Sequence, residues 1–138
     1  MKARVKLLDG MTFVGESGSG HAVVMDASPD VGGRNLGPRP MEMLLIGTGG
    51  CSAIDVMLIL RKSRQEVTDC ICEVEAERAE TDPKVFTRIH LHFVISGRKL
   101  SENHVKRAVS LSAEKYCSAS IMLGRTADVT HTYAIVEV

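Results

Sequence analysis

Cysteine and histidine are the side chains of this sequence best suited to covalent or metal chemistry, and their spacing sorts them. Cys51 lies in Gly47-Thr48-Gly49-Gly50-Cys51-Ser52-Ala53, where small neighbours leave room around the sulfur, as an attacking thiolate requires. Asp55 follows one helical turn later, and a carboxylate so placed raises a thiol pKa unless a cation offsets it. On an apolar helix a lone cysteine is nevertheless more often inert packing. Cys117 is distant in sequence. Two cysteines on separate helices can meet as an attacking and a resolving thiol and close a reversible disulfide, a juxtaposition that sequence alone does not establish. Cys70 and Cys72 alternate with acidic residues and read as packing on the apolar side of a strand. His90 and His92 alternate on a polar face opposite glutamates. This reads as solvated charge pairing rather than zinc ligation, because no Cys–His ligand spacing accompanies it. No metal and no cofactor is expected. The glycine run is not a dinucleotide loop, since it sits within an apolar helical run and lacks G-x-G-x-x-G.

The elements that must position these residues follow from periodicity. Short strands are expected over Ala3–Leu8, Met11–Glu16 and His21–Ala27, with an Asp9-Gly10 hairpin signal between the first two. Ser28–Pro40 carries Pro29, Pro38, Pro40, Gly32, Gly33 and Gly37, a composition that predicts a mobile loop. Pro40 suits the first turn of a helix. From Met41 to about Arg64 the chain is apolar on nearly every face, which predicts a central, buried helix. In Val67–Ala79 small or apolar residues at Cys70, Cys72, Val74 and Ala76 alternate with Asp69, Glu73, Glu75 and Glu77. In Val85–Ser96 apolar Ile89, Leu91, Phe93 and Ile95 alternate with Arg88, His90 and His92. If Thr81-Asp82-Pro83-Lys84 turns the chain, Glu77 faces Arg88, Glu75 faces His90 and Glu73 faces His92, while Cys72 faces Phe93 and Val74 faces Leu91. Both faces then match. A helix from Ser101, its N-cap, to about Cys117 comes next, with Leu100 stapled to Val105 and Val105, Ala108, Val109, Ser112 and Tyr116 on one face. Ala127–Val138 closes the chain as a strand.

Size and composition set the frame. The chain has 138 residues, 44 % of them hydrophobic and 25 % charged, which suits one globular α+β domain over residues 1–138 and excludes wholesale disorder. Seventeen basic residues balance seventeen acidic ones and there is no Trp, so neither a broad nucleic-acid footprint nor a base-stacking platform is expected. The stretch Met41–Leu60 contains Glu42, Asp55 and three glycines. A mid-span Asp costs about 2.5–3.5 kcal/mol on insertion scales, so this stretch reads as a core helix rather than a membrane span. The N-terminus MKARVKLLDG shows no signal-peptide pattern, which predicts a cytoplasmic protein whose four cysteines are not structural disulfides.

Beyond what spacing yields, the residues resemble a family. Gly15-Glu16-Ser17, Pro40-Met41-Glu42-Met43, Gly49-Gly50-Cys51-Ser52-Ala53-Ile54-Asp55-Val56 and Ala113-Glu114-Lys115-Tyr116-Cys117-Ser118 look like the OsmC/Ohr family of osmotically inducible and organic hydroperoxide resistance proteins, in its bacterial YhfA-like subgroup. The resemblance covers essentially the whole chain. It implies an OsmC-like fold of antiparallel strands around a Cys-bearing helix, and an intertwined homodimer. It also implies reduction of organic hydroperoxides in an oxidative stress response. By motif Cys51 would be peroxidatic and Cys117 resolving, and a dithiol such as a lipoylated protein would restore the pair. The family's peroxidases tune the thiolate with a Glu ten residues before the first Cys and an Arg in the N-terminal strands. Here Met41 holds the first place, with Glu42 one position off, and Met11–Ala27 contains no Arg. Arg34 and Arg39 are the cations at hand, and Ser118 replaces a common Pro. These departures keep an alternative open: a non-catalytic dimer that binds a small molecule or senses redox state.

Overall fold

The computed structural model describes all 138 residues, Met1 to Val138. They form two compact units, Met1–Leu45 and Ile46–Val138.

The first unit is an antiparallel meander of β1 (Ala3–Asp9), β2 (Thr12–Ser17) and β3 (Ala22–Asp26). Asp9 pairs with Thr12, so the tight turn is Gly10-Met11, with Gly10 left-handed at φ 58°. The segment that follows is clipped in place rather than free. Asp26 is 2 % exposed; its Oδ2 accepts from the backbone N–H of Arg34 (3.0 Å) and Leu36 (3.2 Å), and its Oδ1 from that of Ala27 (2.9 Å). Burial pushes the Asp26 carboxyl up, but the N–H groups of Arg34, Leu36 and Ala27 and the Thr12 hydroxyl outweigh it and hold it below its ordinary value. Gly33 and Gly37 are needed there: a Cβ would lie 1.6 Å from the Ala27 carbonyl oxygen and 2.4 Å from that of Val24. Composition misled because it counts turn formers and not the buried carboxylate that gathers their N–H groups.

Helix α1 (Pro40–Lys62) runs from the first unit into the second. Pro40 occupies its first position, and Glu42 reaches back to accept from the Arg39 backbone N–H at 2.9 Å, half of a capping box. The expectation of a helix buried all round is corrected. Thr48, Ser52, Val56 and Leu60 form a buried stripe at four-residue spacing. Ile46, Gly50, Ile54 and Leu58 form an exposed stripe two residues out of phase, about 200° round the helix, with Ile54 63 % exposed.

The second unit is a sheet in the order β4 (Glu66–Arg78), β5 (Phe86–Arg98), β6 (Asp128–Glu137). The hairpin register is the one charge matching demands: Glu77 pairs with Arg88, Glu75 with His90, Cys72 with Phe93 and Val74 with Leu91. Ile89, Leu91, Phe93 and Ile95 are buried on one face. β6 joins β5 in parallel, unlike the antiparallel pairing expected of the strands, because the chain returns to the sheet through a helical crossover. The α+β class and the OsmC-like arrangement stand. His90 and His92 lean toward β6, where their ring nitrogens meet the Thr130 and Thr132 hydroxyls at 2.7–2.9 Å.

The crossover is not one helix to Cys117. Helix α2 (Glu102–Leu111) gives way to a π turn over Ser112–Tyr116, closed by the Cys117 N–H on the Ser112 carbonyl at 2.8 Å, and then to α3 (Ser118–Leu123). Val105, Ala108, Val109 and Ser112 are buried as expected, but the extra residue of the π turn puts Tyr116 outside and Cys117 inside.

Candidate active site

Cys51 stands on the flank of α1, one residue before the buried Ser52, and is partly exposed. The helix can lie this close to the sheet because residue 49 is Gly: a Cβ there would come within 3.0 Å of Val74 Cγ2 and 3.7 Å of the Cys72 sulfur. Cys117 arrives from the other side as the N-cap of α3, fully buried. Ser52 and Ser120, which bond its sulfur, also line a void of only about 10 Å³ together with Phe93, Val109 and Val129 among others. Ser112, held by the π turn, ties the two halves together by donating to the Ser52 carbonyl at 3.2 Å.

The Cys51 and Cys117 sulfurs and an Asp55 carboxylate oxygen all lie within 4.8 Å of one another. The two thiols that sequence could not juxtapose are neighbours. Their environments differ. Burial works against ionising Cys117, but Ser120 and Ser52 outweigh it and hold its pKa below the ordinary thiol value. The Ser52 hydroxyl donates to the sulfur at 3.1 Å and the Ser120 N–H at 3.3 Å. Burial pushes Cys51 up; the Ala119 N–H opposes this, while hydrogen bonding to Cys117 and the charges of Cys117 and Asp55 add to it. Burial also raises Asp55. Cys117 is therefore the more readily ionised of the two, with the Cys51 thiol donating to its sulfur, and ionising either thiol opposes ionising the other.

Of the remaining sequence-predicted residues, Arg39 pairs with Glu42 at 3.3 Å, and Glu42 is held below its ordinary value by the Arg39 backbone N–H and side chain. Arg34 is bonded to the Asp9 carboxylate at 3.2 Å and the Thr12 hydroxyl at 3.1 Å. Cys70 and Cys72 are half-buried, and burial pushes Cys72 up to about 11. Ser52, Ser112, Ser120 and the Ala119 N–H were missed. Their only sequence signal was the run of small residues beside each cysteine, which also fits simple packing.

A model of the family described as OsmC-like protein matches residues 32–132. The chain belongs to that family. This OsmC-like protein is 51 % identical over 136 residues to Protein YhfA of Escherichia coli (strain K12), across 99 % of this chain and 98 % of that one. Among solved structures it is similar to a hypothetical protein from Aquifex aeolicus VF5, with TM-score 0.87, 31 % identity, and coverage of 99 % of this chain and 96 % of that one. An organic hydroperoxide resistance protein OsmC from Legionella pneumophila shares the fold, with TM-score 0.69, 16 % identity, and coverage of 97 % of each chain. The fold and family expectations therefore hold for this OsmC-like protein, and organic hydroperoxide resistance proteins lie among its structural neighbours.

Proposed function

We propose that the protein is a cytosolic, homodimeric thiol peroxidase that reduces organic hydroperoxides through Cys51 and Cys117. The observation that carries this is the approach of the two sulfurs to within 4.8 Å, close enough for modest movement to bring them to the disulfide length of about 2 Å. Cys51 is the attacking residue because its sulfur is partly exposed, whereas Cys117 is fully buried. The Cys51 thiolate displaces alkoxide from the hydroperoxide, the alkoxide takes a proton to leave as alcohol, and Cys51 becomes a sulfenic acid. The Cys117 thiolate then attacks that sulfur, expels hydroxide, which is released as water, and closes the disulfide. A dithiol such as a lipoylated protein reduces the disulfide and is itself oxidised. The raised Cys51 thiol disfavours the first step, and the lowered Cys117 thiol favours the second. The exposed apolar stripe of α1 at Ile46, Ile54 and Leu58, beside glycines 47 and 50 that open onto free space, supports the homodimer. Glu42, Arg34 and Arg39 enter this reading only as candidate tuning groups, since each already has a partner within the first unit.

Cumene hydroperoxide added to the reduced protein under anaerobic conditions is expected to be consumed with formation of a Cys51–Cys117 disulfide. Neither event occurring would sink the proposal. In Cys117→Ser a sulfenic acid should be trapped at Cys51. Trapping at Cys117 in Cys51→Ser, with undiminished peroxide consumption, would reverse the roles. The raised Cys51 thiol favours a second reading, a non-catalytic binding or redox-sensing dimer. Under that reading the alkylation rate of Cys51 against pH rises only above the free-thiol region near 8.5, and no peroxide is turned over.

A further inference from the structure

Asp55 forms and breaks no bond in the thiol–disulfide chemistry above, yet its carboxylate is poorly accommodated. Its Oδ2 is buried without a hydrogen-bond partner, whereas buried side-chain polar atoms are as a rule satisfied. The geometry points to a metal site: the Cys51 sulfur, an Asp55 oxygen and the Cys117 sulfur form a three-ligand cradle for a borderline-soft divalent cation, Zn²⁺ above all.

The donor set and spacing fit that ion. Two thiolates and one carboxylate are the ligand types zinc takes, at about 2.3 Å for sulfur and about 2.0–2.2 Å for oxygen. Two sulfurs on one ion are then at most about 4.6 Å apart, so the observed limit of 4.8 Å closes with small side-chain shifts. Cys51 and Asp55, four residues apart on α1, share one helical face, while Cys117 comes from the start of α3, so only the folded second unit assembles the set. The Ser52 hydroxyl and Ser120 N–H, already directed at the Cys117 sulfur, become the outer partners that orient and stabilise a ligating thiolate. The cation supplies the positive charge the cluster lacks and gives the unpartnered Asp55 oxygen a function. Three protein ligands leave one position open for water or an exchangeable ligand. Closing the Cys51–Cys117 disulfide removes both sulfur donors, so metal binding and oxidation exclude one another.

The test uses the reduced, metal-free, untagged full chain. Zn²⁺ is titrated in competition with a chromophoric chelator, and Co²⁺ is followed by thiolate-to-metal charge-transfer absorption. One ion per chain is expected, with a charge-transfer band on Co²⁺ loading. Cys51→Ser and Asp55→Asn should each weaken Zn²⁺ binding by more than about 100-fold, beyond the loss of an outer partner, while Cys70→Ser leaves it unchanged. Far-UV circular dichroism and thermal melts of the same variants separate ligand loss from misfolding. No uptake by the wild type, or uptake that survives Cys51→Ser, overturns the site. Unchanged affinity in Asp55→Asn overturns the three-ligand assignment. Zn²⁺ binding without peroxide turnover supports this site and removes only the peroxidase reading; turnover without binding does the reverse.

Discussion

The molecule contains two three-stranded sheets with similar sequence patterns and opposite fates. In β5 the residues Ile89, Leu91, Phe93 and Ile95 alternate with polar ones and are each 2 % exposed or less. In β1 Val5 and Leu7 alternate with Arg4 and Lys6 in the same period of two, yet every residue of the strand is exposed, Val5 by 60 % and Leu7 by 51 %. A small sheet needs a covered apolar face to be stable. The second sheet has one from α1 and the crossover within its own unit. In the first, β1 is exposed along its whole length, and its hydrophobic residues, like the outer stripe of α1, are those a second copy would cover in the proposed homodimer. Alternation marks an apolar face, but β1 shows that it does not say whether that face is covered within its own chain.

The largest effect is expected in the second sheet, where Phe93→Ala should cost about 3–5 kcal/mol, measured by urea denaturation; a loss below about 1 kcal/mol would show that β5 is not the core. In the first sheet Leu7→Asp should act through association, shifting the homodimer to monomer in sedimentation velocity while the second unit keeps its near-native circular dichroism. A dimer that survives this change would mean that the exposed face is not covered by a second copy. Gly49→Ala tests the close approach of α1 to β4. Crowding in a packed core costs about 1–3 kcal/mol against a helix-propensity gain of about 1 kcal/mol, so a modest net destabilisation is expected, and a stabilised variant would sink the idea that residue 49 must be Gly.

The smallest effect separates the clipped segment of the first unit from the rest. Because the folded-state pKa of Asp26 is lowered, its stabilising contribution is full above its ordinary value of 3.8 and is lost as pH falls through the lowered value. Amide exchange at Arg34 and Leu36 should therefore accelerate in acid relative to the β5 amides, and Asp26→Asn should remove that pH dependence. Exchange at the two positions that tracks β5 at every pH would refute it.

Much of the architecture was legible in the residues. The β4–β5 register followed from two faces that had to match at once, Glu77 with Arg88 on one side and Cys72 with Phe93 on the other. The start of α1 followed from Pro40, although the role of Glu42 as its capping partner did not. Less was legible where a single backbone feature redirects the chain. Nothing in Ser112-Ala113-Glu114-Lys115-Tyr116 announces a π turn, and without it the helical period places Tyr116 rather than Cys117 against the core. The clip at Asp26 was hidden because an isolated Asp before a loop looks like any turn residue until its N–H partners are known.

The sequence by itself determined the strands, the start of α1 and the hairpin pairing, because these depend on local periodicity and on neighbours a few residues apart. Only the tertiary structure decided that Cys51, Asp55 and Cys117 share one small volume, that Cys117 is the more ionised of the two thiols, and that half of α1 lacks cover in its own chain. Each depends on groups brought together from distant segments, the Ser52 hydroxyl on α1 and the Ser120 N–H on α3 above all. A pKa or a burial is set by what surrounds a side chain in space.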